Sequence, residues 1–142
     1  MAVNLNYNAA LLQAQMAALS TTVGAAGKLW LYDGTQPALC STTATPGTLV
    51  AGPWTLGSPF SAAPTTAVPS VCTMTLPSTA TIAATKTAQP TWFRITTSAG
   101  AENSAGVIDG SAGTSAADMI VGPCTIGLNV TINSPNTFTS GT

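Results

Sequence analysis

Four carboxylates, three cations and three thiols make up the reactive inventory of this 142-residue chain. They are Asp33, Glu102, Asp109 and Asp118; Lys28, Lys86 and Arg94; and Cys40, Cys72 and Cys124. Histidine is absent. Glycoside hydrolysis would need two carboxyl groups across a cleft, one with a raised pKa. Asp33 and Asp109 instead each precede a glycine, where a short acidic side chain bonds its own turn. Asp118 follows Ser115-Ala116-Ala117 and suits a turn cap equally well. A calcium site needs several carboxylates close together, and their spacing denies it. Ser and Thr are abundant, but the one base within reach of sequence reasoning is Lys86, in a Ser–Lys pairing.

The cysteines are widely spaced, with no CxxC and no imidazole to complete a zinc site. A reactive thiol wants a cationic neighbour or a helix N-terminus, and no Lys or Arg lies close to any of the three. They read as small apolar filler or one opportunistic disulfide. No glycine-rich phosphate loop leads into a helix. No catalytic, metal or cofactor-binding residue is therefore assigned, and the chain is expected not to be an enzyme.

Arg94 is the only arginine, set between Phe93 and Ile95 in TWFRITT (91–97). It can stack on an aromatic neighbour, pair with Asp109 or Asp118, or serve as an interface contact. Trp30, Trp54 and Trp92 divide in the same way between core anchors and interface anchors.

Charged residues make up 5% of the chain, against roughly a quarter in an ordinary soluble domain. Phosphate neutralisation needs several cations on one face, so nucleic acid is excluded as a partner. Gly, Pro and Thr interrupt every apolar run before it could cross a bilayer, so no membrane partner is expected either. The N-terminal stretch lacks the basic region of a secretion signal, and Gln13 and Gln15 cut its apolar part; the chain is expected to act without export. Polarity comes mainly from 25 Thr and 12 Ser, and 24 of the apolar residues are Ala. With a net charge of −1, such a surface resists association poorly. It suits a chain that is covered within a larger assembly.

These residues must be carried by short elements. Asn8 to Ser20 holds no Gly, Pro or β-branched residue and is rich in Ala, Leu, Gln and Met, which predicts a helix. Asn6 or Asn8 can cap it. Leu12, Met16 and Leu19 fall at helical spacing, with Leu11 beside them. A helix of this length is marginal alone, so it must dock, either on its own domain or as an arm on a neighbour.

Beyond Gly27 the pattern turns to period two. Lys28–Asp33 sets Leu29 and Leu31 against Trp30 and Tyr32 and ends at Asp33-Gly34. Thr48–Leu56 is an edge or bulged strand broken at Gly52-Pro53. Further strands are expected at 68–76, weakly at 81–85, at 91–97, at 105–109 ending in an Asp109-Gly110 turn, at 117–121 and at 127–133. In the last of these Leu128, Val130 and Ile132 should face inward. Seven or eight short strands between Gly, Pro, Ser and Thr clusters predict an all-β fold, an antiparallel β-sandwich or jelly roll. The chain divides into an N-terminal helix or arm (1–27), a β-sandwich domain (28–133) and a flexible C-terminal tail (134–142).

KLWLYDGTQPA (28–38), GTLVAG with WTL (47–56), PTWFRITTSAG (90–100) and VIDGSAGTS (107–115) with Asp118 together resemble a group of small tailed-bacteriophage virion proteins. The likeness runs in order from about Lys28 to Thr131. It implies a decoration (cement) protein on the outer surface of a phage capsid, made in the host cytoplasm and carried on the virion. The implied partner is the major capsid protein, with the chain a homo-oligomer, dimer or trimer, and no cofactor. The residues expected to make partner contacts are Tyr7, Leu11, Leu12, Met16 and Leu19 of the N-terminal segment, with Trp54 and Arg94. The alternative is a tail- or fibre-associated virion protein touching the host surface; a glycan-binding or adhesin-like module ranks behind it.

Overall fold

A computed structural model describes residues 8–43, 47–56, 70–74, 82–133 and 136–140. Its one α-helix among these, α1 (Ala9–Val23), starts where Asn8 Oδ1 accepts the Leu11 N–H at 2.8 Å. That bond satisfies one of the backbone donors left free at a helix start. The helix ends at Gly24, which takes φ 75° and donates its N–H to the Ser20 carbonyl. Thr21 and Thr22 extend the last turn past Ser20, their hydroxyls donating to the Ala17 and Ala18 carbonyls.

Eight strands follow among the described residues: β1 (Lys28–Tyr32), β2 (Leu49–Thr55), β3 (Ser70–Met74), β4 (Trp92–Thr96), β5 (Ile108–Gly113), β6 (Met119–Val121), β7 (Ile132–Asn133) and β8 (Asn136–Ser140). Six form one sheet in the order β2-β1-β4-β5-β6-β7, while β3 and β8 form a separate two-stranded ribbon beside α1. The chain is thus mostly β, as its composition and periodicity imply. The antiparallel sandwich or jelly roll is corrected: β5 and β6 pair in parallel, so the main sheet is mixed. The segment expected to be a loose tail contains β8, paired in register with β3.

The expected alternation in β1, and the same alternation in β4, position the rest. Leu29, Leu31, Phe93 and Ile95 enter one apolar cluster with Ala51, Trp54, Leu56, Met119 and Val121. Trp30, Tyr32 and Trp92 form a second cluster. Every residue of β4 is buried, so both faces of the central sheet are covered. Edge strand β2 keeps the irregular register that Gly52-Pro53 suggested. Instead of a full strand, residues near 81–85 make isolated bridges at Ala83 and Ala84, and Thr85 N–H donates to the Val50 carbonyl at 2.8 Å.

Two glycine positions revise the strand boundaries. Asp109-Gly110 is not a terminal turn, because β5 runs through it with Gly110 opposite Phe93. A Cβ at Gly110 would lie 2.5 Å from Phe93 Cε1, so the glycine makes room for a ring. The strand expected at 127–133 shrinks to β7 because Leu128 N–H donates back to the Thr125 carbonyl, with Gly127 at φ 79°. That turn rotates Leu128 out to 62% exposure, which corrects its inward assignment; Val130 and Ile132 do pack on the core.

α1 docks on its own chain. Val23 belongs to the main core and Met16 packs against it, while Leu12 is 2% exposed.

Candidate functional site

The largest concentration of polar chemistry lies on the Trp30/Tyr32/Trp92 face of the sheet. Arg94 and Asp109 sit opposite each other on β4 and β5. The guanidinium donates from Nε to Oδ1 at 2.8 Å and from Nη2 to Oδ2 at 2.7 Å. Nη1 donates to the Thr42 carbonyl at 2.8 Å and the Ser104 carbonyl at 3.1 Å. The side chains are 0% and 3% exposed. Asp109, through its hydrogen bonds and charge, pushes the Arg94 pKa up against the opposing effect of burial.

Aromatic rings extend this cluster. The Arg94 guanidinium carbon lies 5.4 Å from the Trp92 ring centroid, and Trp92 stacks on Tyr32 with centroids 4.3 Å apart. Tyr32 Oη donates to the Glu102 carbonyl and Trp92 Nε1 to the Asp33 carbonyl. Burial, reinforced by the nearby Glu102 charge, raises the Tyr32 pKa strongly. Trp30 Nε1 donates to Thr96 Oγ1 at 3.2 Å. Gly106 closes the far side, where a Cβ would lie 2.8 Å from both Cys40 Sγ and Asp109 Oδ1. Burial first, then the Asp109 charge, pushes the Cys40 thiol up to about 11. The arrangement clamps three segments, around residues 40, 94 and 106, into one unit.

Four other charged side chains, Asp33, Lys86, Asp118 and Lys28, also bond within the chain. Lys86 Nζ donates to Asp33 Oδ2, while Asp33 Oδ1 accepts the Thr48 N–H at 2.7 Å. The bond from Lys86, then that from Thr48, lowers the Asp33 pKa. The carboxylate thus bonds across to other segments. Asp118 Oδ2 accepts both the N–H and the hydroxyl of Ser111, at 2.8 and 2.7 Å, and so closes the β5–β6 loop. Lys28 Nζ donates to the Gly100 carbonyl at 3.0 Å. Among the described residues no group of three metal-ligating side chains converges, and no helix is long and apolar enough to cross a membrane.

The expected contact residues scatter. Tyr7 lies outside the described residues. Leu11 is exposed, while Met16 and Leu19 are half-buried. Leu12, Trp54 and Arg94 are 2%, 3% and 0% exposed and pack within the chain. Trp30 and Trp92 are buried as well, so no tryptophan presents a face to a sugar.

Sequence reasoning missed three other side chains. Leu39, Ile126 and Leu128 are 67%, 62% and 62% exposed. Ile126 and Leu128 flank Gly127 on one turn, which bonds to the bridging segment through Gly127 N–H to the Ala84 carbonyl and Ile126 N–H to Thr87 Oγ1. Gly122-Pro123 and Gly127 were the available signals that this region turns. No protein-family description, no curated protein and no solved structure matches the chain.

Proposed function

We propose that the chain is a non-enzymatic virion structural protein, a decoration protein that binds the outer surface of a phage capsid and stabilises it. The ordered set of Tyr-Asp-Gly, Trp-Phe-Arg and Asp-Gly motifs supports the virion reading. The observation that carries the mechanism is the pairing of apolar exposure with inward-bonded charge. Leu11, Leu39, Ile126 and Leu128 are exposed, while Asp33, Lys86, Arg94, Asp109, Lys28 and Asp118 all bond within the chain.

Such a surface attaches by burying apolar area and making neutral hydrogen bonds. Each Å² of apolar area buried contributes about 25 cal/mol, and a standard interface offsets the entropic cost of association. Repetition over symmetry-related copies then strengthens a shell without any reaction.

Quantitative mass spectrometry of purified particles tests this reading through the ratio of this chain to the major shell protein. A ratio near one, or a simple fraction set by shell symmetry, is expected. A handful of copies per particle would move the protein to the tail. Absence from particles would overturn the virion reading.

A further inference from the structure

Residues 82–88 make no full strand, yet they join the two ends of the main sheet. On one side they bond to the 124–130 stretch. Val130 N–H donates to the Ile82 carbonyl at 3.1 Å, and Ala84 N–H and Gly127 N–H donate to the Leu128 and Ala84 carbonyls at 2.9 Å. Ala88 and Cys124 exchange bonds of 3.1 and 2.9 Å, and Ile126 N–H donates to Thr87 Oγ1 at 2.9 Å. That stretch leads directly into β7, at one end of the sheet order. On the other side lies β2, at the opposite end. Residues 82–88 are therefore a strap that closes the sheet on itself and covers the β2 edge, where unpaired backbone would otherwise invite another strand.

The two sides of the strap are held unequally. Among the described residues one backbone bond joins it to β2, from Thr85 N–H to the Val50 carbonyl at 2.8 Å. The Thr85 hydroxyl adds bonds to the Leu49 and Val50 carbonyls at 3.2 and 3.1 Å. Lys86 reaches Asp33, just past β1, in a pair that is 40% and 23% exposed. Val50, Ala84 and Cys124 fill the seam as a cluster of their own, apart from the main core. Few apolar contacts and partly exposed bonds are the marks of a segment that opens ahead of the whole domain.

We propose that the seam between the strap and β2 is a built-in opening, with Thr85 and Lys86 as its catch. When the catch releases, residues 84–88 leave β2 together with the 124–129 turn, while β1, β4 and β5 stay paired. The denser bonding on the 124–130 side decides which segments travel together. Opening uncovers Val50 and Cys124, which are 0% and 4% exposed in the closed form. It also frees the β2 edge, and it moves the turn that bears the exposed Ile126 and Leu128. The strap is thus a conformational device that couples the presentation of that turn to two catch residues on the far side of the seam. This inference is independent of the virion reading.

Native-state hydrogen exchange on the full wild-type chain tests the proposal directly. The Thr85 amide loses its acceptor on opening, whereas the amides of Ala84, Cys124 and Gly127 keep theirs. Thr85 should therefore exchange about tenfold or more faster than those three and than the amides of β4. Equal protection of Thr85 and β4 would mean that the seam stays shut until the domain unfolds. Joint loss of protection at Thr85, Ala84 and Cys124 would mean that the strap does not travel with the turn. Either result overturns the proposal. A second test reads the catch in a Cys72→Ser background. Thr85→Val with Lys86→Met should speed carbamidomethylation of Cys124 about two- to fivefold, the size of a partly exposed ion pair, and leave Cys40 unchanged. An unchanged Cys124 rate, or the same acceleration at Cys40, overturns the proposal. If the variant loses its native circular dichroism, the exchange pattern of the wild type decides.

Discussion

Arg94 and Asp109 face each other from adjacent strands and join through two bonds, of 2.8 and 2.7 Å, inside a site closed to solvent. In a chain with so few ions, one complete pair has gone to the interior. Arg94 Nη1 donates to the carbonyls of Thr42 and Ser104, which lie in two different loops. A buried pair of this kind offsets its own desolvation only with good geometry and further hydrogen bonds to its other donors. What it adds is a fixed position for the loops over the aromatic face.

Removing one partner should therefore cost far more than removing both. Asp109→Ala leaves a guanidinium buried without its counter-charge, and about 3–5 kcal/mol of stability should be lost. Arg94→Met with Asp109→Leu should recover a large part of that loss, because no unpaired charge remains. Urea denaturation of the single and double variants measures both. Equal losses would mean that loop bonding to Thr42 and Ser104 outweighs the pair itself.

Much of the central sheet was legible because its signals are local. Lys28–Tyr32 and Trp92–Thr96 alternate over both faces, and their β-branched and aromatic content leaves little choice of conformation. The helix was legible from the same kind of pattern, with its Asn8 cap. The parallel β5–β6 pairing was not, since it depends on Asp118 reaching back to Ser111. Gly110 carried a misleading signal: beside an aspartate it reads as a turn, yet it exists to admit the ring of Phe93. The burial of three of the expected contact residues was not legible for a related reason. Leu12, Trp54 and Arg94 were chosen as large or charged side chains, but only long-range packing decides which of those face inward.

The Gly110 relationship makes a direct prediction. Gly110→Ala places a methyl group 2.5 Å from Phe93 Cε1 and 2.6 Å from Cζ, inside the packed core. Overpacking of this kind costs about 1–3 kcal/mol. The double variant with Phe93→Leu should be less destabilised than the sum of the two single changes, because the smaller side chain vacates the space. Thermal unfolding of the three variants gives the coupling, and strict additivity would contradict the contact.

Asp33 links stability to pH. Its folded pKa is lowered by the bond from Lys86 and then by that from the Thr48 N–H. The group therefore stabilises the fold above its unfolded pKa near 4, and the contribution disappears as pH falls through the lower folded value. With side chains 40% and 23% exposed, the Lys86–Asp33 pair itself is worth about 0–1 kcal/mol. Asp33→Asn should lower stability slightly at pH 7 and flatten the loss below pH 4. Urea midpoints across that range for wild type and variant provide the check.

The thiols of Cys40 and Cys124 should be unreactive in the folded protein. Burial raises both pKa values, and for Cys40 the Asp109 charge adds to it, up to about 11. The nucleophile is the thiolate, which is scarce at neutral pH. In a Cys72→Ser background, iodoacetamide at pH 7.5 should add little mass to the native protein and two carbamidomethyl groups after denaturation. The pH dependence has a definite sign. A raised folded pKa means the contribution to stability is present below the unfolded thiol pKa and is lost as pH rises through the folded value. Rapid native labelling of both residues would show that their environment opens on the timescale of the reaction.

Ile126 and Leu128 connect the fold to the proposed attachment. Both stand on a turn whose backbone bonds to residues 84 and 87, so their side chains can change without disturbing the core. Ile126→Ser with Leu128→Ser should leave unfolding free energy within about 0.5 kcal/mol of the wild type, as for other exposed positions. If this turn contributes to attachment, the same variant should bind less to particles stripped of this protein, by cosedimentation. The surface chemistry also fixes how solution conditions act. Sodium chloride screens ion pairs, and Asp33, Lys86, Arg94, Asp109, Lys28 and Asp118 bond within their own chain, so raising salt should leave attachment unchanged. Low urea, below the unfolding transition, weakens apolar and peptide contacts and should release the protein. Release by salt at neutral pH would show that Glu102 or another charge carries the contact, and the apolar mechanism would then be wrong.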